Sequence, residues 1–153
     1  MKMLLALDPG KTTGASLWVY DEETPLEPYA RWQVEGGLYG FLDFFDQIKK
    51  FADQIVSESF VLDGRTPNPD VTPLQIEGAL MAFWQVYKTP VAFQRNNFKK
   101  HVSNELLKAH GLYWKGEQHA MDSARHAIAY MKTERHMPTL QKYFNDNEET
   151  PGN

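Results

Sequence analysis

Asp8 closes an apolar run, Met3-Leu4-Leu5-Ala6-Leu7, and passes at once into Pro9-Gly10-Lys11-Thr12-Thr13-Gly14. Burying an unpaired carboxylate is costly or forces it to take up a proton, so an aspartate there calls for a partner. A metal ion is the simplest one; a turn carboxylate bonded to the amides of Gly10 or Lys11 is the competing reading. Glu58 has Val56 and Phe60 as same-face neighbours, an equally apolar setting, with Asp63 in reserve should Glu58 turn to solvent or pair with a lysine. His119 and Asp122 are three apart and His126 follows four later, so all three project from one helical face. A histidine near a helix start commonly caps or faces solvent, but the company of Asp122 and two further acids favours ligation. His126 either fixes a ligand's orientation or is a neutral core histidine. Oxygen donors with at most one imidazole suit Mg²⁺ or Mn²⁺ rather than zinc. Two such ions about 3.5 to 4 Å apart form the usual clamp for in-line phosphodiester hydrolysis.

Elements able to position these groups follow from the pattern. The apolar run reads as a buried central strand. Ala15-Ser16-Leu17-Trp18-Val19-Tyr20 reads as its antiparallel partner and Tyr29 to Val34 as a third strand. Phe41, Leu42, Phe45, Ile48 and Phe51 recur at helical spacing. Ile55 to Leu62 reads as a fourth strand, parallel to the first through a right-handed crossover. Asp63 to Asp70, rich in proline, is an irregular loop suited to face a substrate. A helix is expected over Val71 to Tyr87, a short strand over Pro90 to Phe93, a helix from Asn96 carrying Phe98, Val102, Leu106 and Leu107, and a last helix from His119 to near Arg135. Ala120, Ala124 and Ala127 would let that last helix approach the sheet closely. Three antiparallel strands followed by helix, strand, helix, strand and helices is the element order of the ribonuclease-H-like α/β fold, with its five-stranded mixed sheet. There the first and fourth strands are neighbours, which would bring Asp8 and Glu58 together; two ionised carboxylates so placed repel unless a cation lies between them.

Apolar residues in the Val71 to Tyr87 helix cover an arc of roughly 200°, against the ~100° stripe of an ordinary surface helix. A symmetric dimer contact or deeper burial within one chain would each account for the excess. Residues 1–144 are read as one domain and 145–153 as an acidic, disordered tail. Cysteine is absent and no apolar run reaches membrane-spanning length, so a soluble, cytoplasmic protein is expected. The net charge of −4 hides an asymmetry, with five Lys/Arg against ten Asp/Glu through Phe60 and eleven against seven from Val61 to Phe144. One positive side is implied. Two nucleotide-binding readings are set aside. Gly10-Lys11-Thr12 lacks the glycine a P-loop needs five positions earlier, where Leu5 stands. The Asp-x-Gly-x-Thr hairpin is similar to the phosphate loop of actin-like and sugar-kinase ATPases, which need two such domains.

Four motifs in order carry a resemblance. Leu7-Asp8-Pro9-Gly10-x-x-x-Gly14, Ser57-Glu58-Ser59-Phe60-Val61, Thr72-Pro73-Leu74-x-Ile76-x-Gly78-Ala79-Leu80 and His119-x-x-Asp122-x-Ala124-x-His126 resemble those of the RuvC-like Holliday junction resolvases, particularly the compact bacteriophage forms. The likeness extends from Leu4 to about Tyr130. It implies a homodimer that binds four-way DNA junctions and nicks two strands symmetrically, leaving 5′-phosphates. It implies Mg²⁺ or Mn²⁺ on Asp8, Glu58, His119 and Asp122, no small-molecule cofactor, and dimerisation through the helix carrying Ile76, Leu80, Phe83, Trp84 and Tyr87. Lys99 and Lys100 lie near the family's phosphate-contacting lysine. Lys11, Arg65, Arg95, Lys115 and Arg125 are further candidates for DNA backbone contacts. The glycine-rich segment with a second lysine is missing after Lys100, and Val61 stands where some members carry a junction-inserting aromatic. A nuclease for RNA–DNA hybrids or flaps, and a catalytically silent DNA-binding domain of the same fold, are the rival functions.

Overall fold

Leu4, Leu5, Ala6 and Leu7 are all completely buried, as an unbroken apolar run must be when both faces of its sheet are covered. The computed structural model describes residues 1–144; the tail expected at 145–153 lies outside the described residues. The run forms β1 (Lys2–Asp8), paired antiparallel to β2 (Thr13–Tyr20) on one side and parallel to β4 (Gln54–Glu58) on the other. β3 (Glu27–Val34) adds to β2 and β5 (Val91–Gln94) to β4, giving the order β3-β2-β1-β4-β5. This is the expected ribonuclease-H-like sheet. Leu7 pairs with Ser57, so Asp8 and Glu58 leave the two central strands at the same level.

Successive β1 side chains point to opposite faces, and each face has its own core. Leu5 and Leu7 join Leu17, Phe41, Ile55, Ile76 and Leu80 beneath α1 (Gly37–Ile48) and α2 (Thr72–Tyr87). Leu4 and Ala6 join Trp18, Val56, Ala124 and Ala127 beneath α4 (Gln118–Thr133). Among the described residues no helix is long and apolar enough to cross a membrane.

Several boundaries differ from the expected ones. The fourth strand stops at Glu58 rather than Leu62, because β5 ends at Gln94, the residue paired with Glu58; beyond it no strand remains to bond Phe60 to Leu62, and Val61 and Leu62 are exposed. The helix expected from Asn96 is divided into a 3₁₀ turn, Asn96–His101, and α3 (Asn104–Ala109). Ser103 causes the break, its side chain accepting from the Leu106 amide as an N-cap. In α2, Ile76 and Leu80 are fully buried in this chain's own core, which corrects their assignment to a dimer contact. Phe83 is half-buried against the same core, whereas Val86 is 68% and Tyr87 61% exposed, so burial within this chain accounts for only part of the arc.

A further helix, α5 (Met137–Tyr143), was not expected. Thr139 accepts from the Leu26 amide at 3.0 Å and the Tyr143 hydroxyl donates to the Leu26 carbonyl at 2.8 Å, so α5 clamps the β2–β3 turn. Tyr143→Phe should therefore leave a buried carbonyl without its donor and lower stability by about 1–2 kcal/mol, read as a lower urea midpoint at unchanged m-value.

Candidate active site

Asp8 is 8% exposed. Burial pushes its carboxyl from the ordinary 3.8 to about 8; the neighbouring Glu58 and Asp122 add to the rise, and the Lys99 ammonium partly offsets it. The negative charge of Glu58 beside it thus favours a proton on Asp8. Glu58 goes the other way. Burial raises it too, but the hydrogen bond to His126 and the charge of Lys99 outweigh that and hold it below the usual carboxylate range. His126 is completely buried, its Nε2 2.9 Å from Glu58 Oε1.

The third acid arrives on α4, whose first turn is held by residues far away in sequence. Gln33 at the end of β3 offers its side-chain oxygen to the amides of His119 (2.9 Å) and Ala120 (3.2 Å), capping the helix from outside. Gly14 lies so close beneath that an added Cβ would stand 1.8 Å from the His119 carbonyl oxygen. Behind it runs a buried chain of donors: Trp18 Nε1 to Ser16, Ser16 to Ser123, and Ser123 to the Ala120 carbonyl, at 2.8, 2.8 and 2.7 Å. These contacts bring His119 Nδ1 within 3.6 Å of Asp8 Oδ2. Asp122 Oδ1 accepts from Gln118 and Arg125, while Oδ2 stands 3.6 Å from Lys99 Nζ.

Lys99 also lies 3.2 Å from Glu58. Its ammonium thus stands between two carboxylates where a cation would sit, and the three acids draw its own proton affinity up against the opposing effect of burial. As the side chains stand, no group of three acid or histidine residues among the described ones is gathered tightly enough to cage an ion. The donor set nonetheless fits a hard divalent cation, for which carboxylate oxygens with a single imidazole are suitable ligands.

The candidate DNA contacts divide. Lys99 turns into the carboxylate cluster. Arg125 is a correction: its guanidinium is buried, donating to the Val102 carbonyl, Asn104 and Asp122, so it braces α4 rather than offering a charge to a phosphate. Arg65 pairs with Asp63 of its own exposed loop at 3.6 Å, and Asp63 stays outside the carboxylate cluster. Lys11, Arg95, Lys100 and Lys115 are exposed. Two concavities flank the acids. One of about 350 Å³ is lined by Glu58, Phe60, Arg95 and Asn96, and one of about 610 Å³ by Asn96, Lys99, Lys100, Gln118 and Asp122. A hollow of about 500 Å³ at the far end of β1, lined by Lys2, Tyr20 and His136, shares no residue with them.

Sequence patterns missed Gln33, Gln94 and the two serines. Each is a single polar residue in an otherwise ordinary element, and no local spacing marks it. Gly14 could have been found, as a glycine retained inside a strand implies a close backbone approach.

Neither a protein-family model nor a curated protein matches the sequence. Among solved structures the chain is similar to T. thermophilus RuvC in complex with Holliday junction substrate, at 14% identity and a TM-score of 0.65 over 89% of this chain and 97% of that one. A Thermus thermophilus RuvC structure gives 14% and 0.63 over 87% and 95%. Fowlpox virus resolvase, in complex with its Holliday junction DNA, gives 12% and 0.62 over 85% and 99%. The likeness is one of fold: this chain has the ribonuclease-H-like architecture of the RuvC-type resolvases across most of its length.

The Asp8 carboxyl has a measurable consequence. Its affinity for a proton is higher folded than unfolded, so its contribution to stability is full below about pH 4 and is lost as pH rises through about 8. In chelator at pH 9, Asp8→Asn should be more stable than the unaltered protein by on the order of a few kcal/mol, with the gap closing towards pH 5 in paired thermal melts.

Proposed function

We propose that this protein is a metal-dependent, structure-selective DNA endonuclease that resolves four-way junctions by paired nicks, acting as a homodimer in the cytoplasm. The observation that carries this reading is the meeting of Asp8, Glu58, His119 and Asp122 at one end of a sheet whose fold is shared with RuvC and with a poxvirus resolvase. Both of those were solved with junction DNA.

Asp8, Glu58, Asp122 and His119 would hold two Mg²⁺ ions, with Mn²⁺ able to substitute. Bound there, such ions lower the pKa of a water and stabilise the leaving oxygen of an in-line displacement. The chain's own groups do the rest. His126 and Lys99 keep Glu58 ionised, and Gln118 and Arg125 engage one oxygen of Asp122 and leave the other facing the site. Lys99 supplies positive charge within reach of the scissile phosphate. Lys11, Arg95, Lys100 and Lys115 attract the backbone without reading bases, so binding should weaken steeply with salt.

A junction with two-fold symmetry calls for two sites related the same way. The exposed part of α2 supports that arrangement: Trp84, Val86 and Tyr87 offer apolar surface, whereas Phe83 is half-buried against Phe45 of the same chain.

Incubation with four-way junction, flap and RNA–DNA hybrid substrates in Mg²⁺ should give symmetric nicks with 5′-phosphates in the junction. Cleavage of the hybrid alone would defeat the proposal in favour of a ribonuclease-H-type activity. Asp8→Asn should bind the junction and cut at least about 1,000-fold more slowly, the loss expected when a group acting with others in one catalytic unit is removed. Sedimentation at micromolar concentration should show a dimer that Trp84→Glu with Tyr87→Glu converts to a folded monomer; a monomer before substitution would remove the dimer.

A further inference from the structure

Gln94 lies directly beside Glu58 on the neighbouring strand, and its carbonyl accepts from the Ser59 amide at 2.6 Å. Its side chain is 5% exposed and reaches past the sheet to α4. There the amide nitrogen stands 3.1 Å from the His126 carbonyl oxygen and 3.0 Å from His126 Nδ1.

These distances settle a proton. A carbonyl can only accept, so the NH₂ of Gln94, and not its oxygen, must face it. The same NH₂ then meets Nδ1, which must also accept. A neutral ring with its lone pair on Nδ1 carries its hydrogen on Nε2, and Nε2 is the atom 2.9 Å from Glu58 Oε1. Donation therefore runs one way, from Gln94 to His126 to Glu58. Lys99 reaches the same oxygen from a short, partly exposed turn, whereas His126 is fully enclosed.

We propose that Gln94 and His126 are positioning residues: Gln94 locks His126 as its Nε2–H tautomer, and His126 fixes Glu58 in the rotamer that receives a divalent ion. The inference rests on the nuclease reading of the acid cluster and extends it to two residues that touch neither ion nor DNA. Fully enclosed and bonded at both ring nitrogens, the ring can stay in place when cations enter. A hydrophobic side chain of the same size would fill the cavity and leave Glu58 held by Lys99 alone.

The direct test is the histidine ¹⁵N spectrum of the protein without metal at neutral pH. His126 should show a protonated Nε2 and a lone pair on Nδ1, and Gln94→Met should convert it to a mixture of tautomers; an Nδ1–H tautomer in the unaltered protein would overturn the relay. Mn²⁺ affinity, measured by calorimetry, gives a second readout that needs no turnover. His126→Leu should weaken it about 10- to 100-fold, His126→Gln, which restores an NH donor near the Nε2 position, should recover most of that loss, and junction affinity in chelator should be unchanged in both. Equal Mn²⁺ affinity in all three proteins refutes the positioning role. An unaltered protein that binds no Mn²⁺ removes the nuclease reading and the relay's purpose with it, whereas a wrong tautomer removes the relay alone.

Discussion

Two carboxylates brought to the ends of adjacent parallel strands repel each other, and the surroundings of Asp8 and Glu58 are built to contain that repulsion. Backbone pairing of Leu7 with Ser57 sets their level, and burial denies them much of the screening that water would supply. The two then part in behaviour, Asp8 favouring its proton and Glu58 its charge. What separates them is the company each keeps, since Glu58 has His126 and Lys99 as donors. A site poised in this way takes up positive charge readily, which is the physical basis for reading it as a centre for divalent ions.

The rest of the site depends on how closely α4 approaches the sheet. Short acids on a helix can reach a strand-borne carboxylate only if the two backbones nearly touch, and Gly14 is where they do. The approach is then fixed by polar groups paired one to one, with Gln33 on the first helical amides and the Trp18–Ser16–Ser123 chain behind them. Each buried donor has an acceptor, so the helix has one seating rather than a range of them. Side chains carried on strand ends and a helix face are held more firmly than side chains on loops. The exposed stretch after Glu58, with Arg65 paired only within its own loop, stands in contrast.

In α2 one helix serves two surfaces. Ile76 and Leu80 complete the core under β1 and β4, while Trp84, Val86 and Tyr87 remain outside. Sequence showed only that more of the helix was apolar than one buried stripe requires. Which residues belong to which surface depends on how the helix is rotated against Phe41 and Phe45, and rotation is a property of packing.

The order of strands, the central place of β1 and the acids that the fold gathers at one end of it were legible in the chain. Burial periodicity and turn residues are local, and an acid in an apolar run is conspicuous wherever it stands. Element ends were less so: the fourth strand stops when its neighbour stops, Ser103 divides a helix that periodicity alone would continue, and α5 exists to satisfy Leu26 across more than a hundred residues. The partners of each charge were hidden for the same reason. Arg125 and Lys99 look alike in a sequence, two cations in a basic half, yet one is buried and shared between a carbonyl, an asparagine and one oxygen of Asp122 while the other lies between Glu58 and Asp122. Gln33 and Gln94 carry no mark at all until folding sets them against a helix terminus and an imidazole, because hydrogen bonds between distant segments are decided by where backbones meet and not by what precedes or follows a residue along the chain.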